Sequence, residues 1–127
     1  MEAVALVTLL LLMQYFYFSL RAGMMRGKFD VKAPAISGHE TFDRALRVQV
    51  NTLEQLIITI PAMWICAHTW NASVAAGLGV VFLIGRFVYS HGYLQDPNKR
   101  APGMIIGAIA NVTLMVGGLI TVAMKLL

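Results

Sequence analysis

The chain has 127 residues, of which 58% are hydrophobic and 13% charged, with a mean hydropathy of +0.71. Soluble domains carry about 25% charged residues, so this chain lacks the polar side chains needed to coat a core in water, and a soluble globular fold is excluded. The net charge of +4 comes without a basic stripe interleaved with aromatics, so no nucleic-acid partner is expected.

The first apolar run, AVALVTLLLLMQYFYFSL over residues 3–20, matches the roughly 20 residues a helix needs to cross the hydrocarbon core. Glu2 precedes it where a signal peptide would carry Lys or Arg, and no small-residue cleavage site follows. A spanning helix is expected, extended to about Met25. Residues 21–43 are polar and broken by Gly23, Gly27, Pro34 and Gly38, which marks the first loop. The second helix is expected from near Thr41 to His68, with Thr41 or Asp43 as its N-cap. Pro61 inside it predicts a kink.

TWNAS makes a short turn, and a third span covers residues 73–94. QDPNKRAPG is a loop, and a fourth span covers residues 104–124. Gly77, Gly79 and Gly85, then Gly107, Gly117 and Gly118, are small residues that permit close helix approach in lipid. The expectation is an all-α fold, a single integral-membrane four-helix domain over residues 1–127.

Nine of the ten Lys and Arg residues lie in or beside the first and third loops: Arg21, Arg26, Lys28, Lys32, Arg44, Arg47, Arg86, Lys99 and Arg100. The AHTWNAS turn has none. The positive-inside rule then puts those two loops in the cytoplasm and both termini on the far side. Cys66, the only cysteine, allows no intrachain disulfide and is read as a small packed hydrophobe.

The stretch RVQVNTLEQL introduces polar groups into a membrane helix, where they are costly and usually functional. With Arg47 at 0° on a helical wheel, Asn51 falls at about 40°, Glu54 at about −20°, Arg44 at about 60° and Gln55 at about 80°. Gln49 points away, at about 200°. On the third span Arg86, Tyr89, Ser90 and Tyr93 share one face within about 100°. Both faces lie near the cytoplasmic end and can meet in one pocket, with Arg100 in the adjoining loop and Arg26 at the end of the first span.

Arginine forks suit carboxylates, a buried glutamate suits an ammonium group, and an arginine beside a thiol favours the thiolate. A small anionic peptide bearing an amine and a thiol would use every part. The plain alternative is structural: Arg47 and Glu54 pair across two turns, and Arg86 snorkels to the interface.

These residues resemble a known family. FDRALRVQVNTLEQL carries the Arg-x-x-x-Asn-x-x-Glu pattern of the MAPEG proteins, membrane-associated proteins in eicosanoid and glutathione metabolism. GRFVYSHGYLQDPNKRAPG resembles the family segment with an Arg, a Tyr three residues on, a Gly-Tyr pair and a later Arg. YFYFSLRAGMMRGKF resembles the end of the family's first span. The resemblance implies a four-helix subunit in a homotrimer, with glutathione as co-substrate between subunits on the cytoplasmic side.

Carried over by motif, Arg47, Asn51, Glu54, Arg86, Tyr89 and Tyr93 match glutathione contacts. Arg26 and Gln49 match contacts from the adjacent subunit, and Arg100 matches the arginine that stabilises the thiolate. No metal is implied. The implied activity is a membrane glutathione transferase of the detoxification type. It would act on hydrophobic electrophiles arriving from membrane lipid, with a possible peroxidase activity toward lipid hydroperoxides. A bacterial inner membrane fits better than an endoplasmic reticulum.

Two departures matter. Gly27 stands where the leukotriene-forming branch has a second consecutive arginine, with Lys28 next to it, which weighs against leukotriene synthesis. Gln55 replaces a tyrosine. A non-enzymatic lipid-binding scaffold of the same family is the alternative, and a small channel ranks last because the polar faces stop short of residues 57–67 and 74–84. His39, Glu40 and His91 are set aside: the first two lack a second metal-ligand pair, and His91 lies about 140° off the tyrosine face.

Overall fold

The computed structural model describes all 127 residues, in the order α1 (Glu2–Lys28), α2 (Glu40–Thr69), α3 (Ala72–Gln95), a 3₁₀ turn (Pro97–Lys99) and α4 (Ala101–Leu126). All four α-helices are long and apolar enough to cross a membrane. Each runs further than its apolar stretch predicts. Amphipathic ends such as RAGMMRGK stay helical once the chain emerges from its hydrophobic segment.

α1 ends in a Schellman turn. Asp30 takes φ 53°, and the Val31 N–H reaches back to the Arg26 carbonyl at 2.9 Å. The N-cap of α2 differs from expectation. His39 fills the position and its ring Nδ1 accepts from the Thr41 N–H at 3.1 Å. Asp43 instead closes the preceding loop, accepting from the Gly38 N–H and the Ser37 hydroxyl. The ring of His39 also stacks on Phe29 at 3.7 Å between centroids, which seats it at the helix entrance. Asn71 caps α3 by accepting from the Val74 N–H at 3.0 Å. The helix α2 continues through Pro61.

The main core gathers Val4, Val7 and Leu11 of α1, Met63 and Cys66 of α2, and Phe82 and Leu114 of α3 and α4. Dry packing alone gives weak specificity in lipid, where polar bonds and small residues set helix register. Both are present. Gln14 donates to the Leu83 carbonyl at 2.9 Å, Trp64 to the Thr8 hydroxyl at 3.0 Å, and the Cys66 thiol to the Leu114 carbonyl at 2.9 Å. Thr59, Asn111 and Gln55 form a network joining α2 to α4, with Thr59 to Asn111 at 2.6 Å and Asn111 to Gln55 at 3.1 Å.

Several glycines are contact points. A Cβ at Gly79 would lie 2.6 Å from both Met63 and Val7, and one at Gly85 would lie 2.9 Å from Ile106. Gly77, by contrast, faces open space. Gly103 was not among the residues picked out by sequence, yet a Cβ there would overlap the Tyr89 backbone. It lets the start of α4 lie directly on the α3 segment that carries the tyrosines.

Candidate active site

Arg86 is the pivot of the polar region. It is 2% exposed, and its Nη2 donates to the Asn51 side-chain oxygen at 2.8 Å and to the Thr52 hydroxyl at 2.9 Å. Its guanidinium lies 4.1 Å from the centre of the Tyr89 ring, a cation–π contact. Thr52 in turn donates to the Val48 carbonyl, and Phe18, Val48 and Tyr89 form a second small core with Tyr93 packed against it. The Tyr89 and Tyr93 rings are 5.6 Å apart. The sequence face Arg86–Tyr89–Tyr93 and the residue Asn51 are thus brought together. Thr52, one position on from Asn51 and so about 100° further round the helix, is a partner outside the polar arc of α2.

Arg47 and Glu54 lie on the same helix as Asn51, but both are exposed and neither forms an ion pair within the chain. The structural alternative of an Arg47–Glu54 bridge is therefore not what the fold uses. Glu54 is the fifteenth residue of α2, about 21 Å from its start at 1.5 Å per residue. A carboxylate at such depth, facing outward from the subunit, costs about 2.5–3.5 kcal/mol in lipid on insertion scales. It calls for a cationic ligand or a neighbouring chain. Gln49, half-buried on the far side of α2, has no hydrogen-bond partner of its own within the chain.

The remaining basic residues divide by role. Arg44 caps α3, donating to the Leu94 and Gln95 carbonyls at 3.1 Å each, and it pairs with Glu40. A cation at the carbonyl end of a helix also meets the negative end of its dipole. Arg26 ties the first loop, donating to the carbonyls of Ala35 at 2.7 Å and Val31 at 3.4 Å while stacking on Phe42. Arg100 is exposed at the junction of the 3₁₀ turn and α4, with one N–H on the Pro97 carbonyl at 2.9 Å. It borders a shallow cleft of about 330 Å³ with Asn98, Met104 and Ile105. Tyr93 instead borders an open cleft of about 580 Å³ with His39, Asp43 and Arg44. Within one subunit, Arg100 and Tyr93 therefore open onto different clefts.

The sequence matches the MAPEG family over residues 4–120. This chain belongs to the MAPEG family. Among its relatives is an uncharacterised protein of Synechocystis, 41% identical over 122 residues, covering 96% of this chain and 89% of the relative. Human microsomal glutathione S-transferase 2 is 35% identical over 113 residues, covering 87% of this chain and 77% of that enzyme. Rat leukotriene C4 synthase is 32% identical over 106 residues, covering 84% and 71%. Four apolar helices in a MAPEG chain make it a multi-pass membrane protein, and two of the relatives just named are a glutathione S-transferase and a leukotriene C4 synthase.

Proposed function

We propose that this MAPEG protein is a membrane glutathione S-transferase, working through residues 1–127 as one unit in a homotrimer. The observation that carries the reading is the contrast on α2. Asn51 is locked to the buried Arg86, whereas Arg47 and Glu54 face outward with no partner in their own chain. One half of a polar cradle is preorganised and the other half is left for a ligand.

In this reading Arg47 and Glu54 engage the carboxylate and ammonium ends of glutathione, and Asn51, Arg86, Tyr89 and Tyr93 fix its peptide. Gln49 reaches the peptide from an adjacent subunit, and so does Arg26 through Nε and Nη2, since the first-loop carbonyls take only its Nη1. Arg100 lowers the thiol pKa by Coulomb attraction; only one of its five N–H groups is needed for Pro97, so the others remain for sulfur. The thiol proton leaves to solvent, the sulfur lone pair forms the new bond to carbon, and the leaving group departs with its electron pair. Each unit of pKa lowering corresponds to about 1.4 kcal/mol in favour of the thiolate.

The electrophile enters from lipid along the exposed apolar helix faces. Lipid hydroperoxide is a further acceptor, reduced to the alcohol and water as two glutathiones become disulfide. The basic first and third loops favour a site on the cytoplasmic side by the positive-inside rule, and the Synechocystis relative supports a bacterial membrane.

A scaffold that binds lipid without chemistry is the competing reading. It draws on the bond that turns Arg100 toward Pro97 and on Gly27 in place of a second arginine. Conjugation of glutathione to a chlorinated nitrobenzene by purified protein decides between them. Turnover that requires Arg100 supports the transferase, and binding of glutathione without turnover supports the scaffold.

A further inference from the structure

The groove between α1 and α3 shares Ser90 with the α3 face described above but is lined by none of the proposed glutathione contacts, so it does not rest on the transferase reading. Its volume is about 390 Å³, and Arg21, Ser90, His91 and Gln95 line it above the rings of Tyr17 and Phe87. We infer that this groove binds the phosphate of an anionic membrane phospholipid, with Arg21 as its cation.

Arg21 is half-buried, and its Nε and Nη2 are buried without a hydrogen-bond partner. The guanidinium instead makes cation–π contacts, 4.9 Å from the centre of the Phe18 ring and 5.5 Å from that of Tyr17. Such contacts favour the charge but give its N–H groups no acceptor. Unpaired buried donors carry a full desolvation cost, and more so when charged. Nη1 is the accessible nitrogen and has no partner either, so a phosphate in the groove meets it first and reaches the Nε–Nη2 edge by a small turn of the side chain. No carboxylate lines the groove, so no acidic side chain of this subunit neutralises the cation there. His91 and Gln95 are already joined at 3.1 Å between their ring and amide nitrogens, which positions further polar groups at the rim.

Depth and shape point to a lipid rather than a free ion. Arg21 is the twentieth residue of α1 and His91 the twentieth of α3. Each lies about 28 Å along its helix from the opposite end at 1.5 Å per residue, the full thickness of a roughly 30 Å hydrocarbon core. That is phosphate level. Leading to it are two exposed apolar stripes at helical spacing, Met13–Tyr17 on α1 and Val80–Ile84–Phe87 on α3. These stripes offer a lane for an acyl chain directly beneath the cation. His91, which points away from the tyrosine face, thereby gains a setting.

The test uses the full-length protein in non-ionic detergent, titrated with phosphatidylglycerol, phosphatidylcholine or inorganic phosphate and read by native mass spectrometry. Phosphatidylglycerol should bind saturably and at least about tenfold tighter than phosphatidylcholine, since a charge-assisted pair is at stake. Arg21→Gln should remove that preference, Arg21→Lys should keep part of it, and Lys32→Gln in the first loop should leave it intact. Phe87→Ala, which spares the cation, should weaken both lipids alike and covers the case in which Arg21→Gln does not fold. Equal affinity for the two lipids, or unchanged phosphatidylglycerol binding in folded Arg21→Gln, would overturn the assignment. So would inorganic phosphate that displaces the lipid in an Arg21-dependent way, which would make this a free-anion site.

Discussion

The guanidinium of Arg86 and the side-chain oxygen of Asn51 meet at 2.8 Å, and through this bond a buried cation fastens α3 to α2 beside the tyrosines. Removing the acceptors should cost more than removing the cation, because the former leaves a charge buried and unpaired. The double substitution Asn51→Ala/Thr52→Val should therefore lower unfolding stability by about 3 kcal/mol or more. Arg86→Met should cost less. Thermal unfolding in detergent gives the order, and the reverse ranking would show that Arg86 is not held by these two residues.

Gly103 and Gly77 make a matched pair. A methyl at Gly103 would collide with the Tyr89 backbone, whereas one at Gly77 meets nothing within 4 Å. Gly103→Ala should destabilise by about 1–3 kcal/mol as an overpacked contact and should displace Tyr89. Gly77→Ala should be neutral or stabilising by about 0.5–1 kcal/mol, because alanine suits a helix interior better. Similar unfolding midpoints for the two variants would contradict the close packing of α4 on α3.

Much of this architecture is legible in the sequence, for physical reasons. Four apolar runs of membrane length announce four helices, and the 100° period places Asn51 with Arg47 and Tyr89 with Arg86 before any packing is known. What the period cannot tell is which charged residue is consumed by the fold. Arg44 shares the arc of Asn51 yet becomes the cap of α3, and Arg26 is drawn into the first loop through carbonyls that carry no sequence signal. Thr52 and Gly103 were missed likewise, since a threonine on an apolar face and a glycine in a loop read as filler until a neighbouring helix is in place. The N-cap went to His39 rather than Thr41 because stacking on Phe29 fixes its ring, a long-range effect.

The Thr59–Asn111–Gln55 network should contribute modestly. Interhelical hydrogen bonds in membranes average about 0.6 kcal/mol in double-mutant cycles, with a maximum near 1.7. Asn111→Leu should therefore cost about 1 kcal/mol or less in stability, and a coupling with Thr59→Ala should be measurable in a cycle. A loss several times larger would mean that Asn111 holds up more of the fold than its two side-chain bonds account for.

Binding and chemistry should separate between Glu54 and Arg100. Glu54→Gln removes the partner for an ammonium group and should weaken glutathione affinity about tenfold, in the range of a charge-assisted hydrogen bond. Arg100→Ala should leave affinity largely unchanged and reduce turnover by about tenfold for each unit by which the thiol pKa rises. Isothermal titration and initial rates distinguish the two, and an affinity loss confined to Arg100→Ala would reverse the assigned roles.

The most direct test of the polar α2–α3 face is the ultraviolet difference absorbance of thiolate on adding glutathione to the purified protein at neutral pH. A saturable thiolate signal that disappears in Arg100→Ala and needs more glutathione in Glu54→Gln is the expected result. Glutathione retained in equilibrium dialysis without any thiolate signal, or no retention at all, would contradict it.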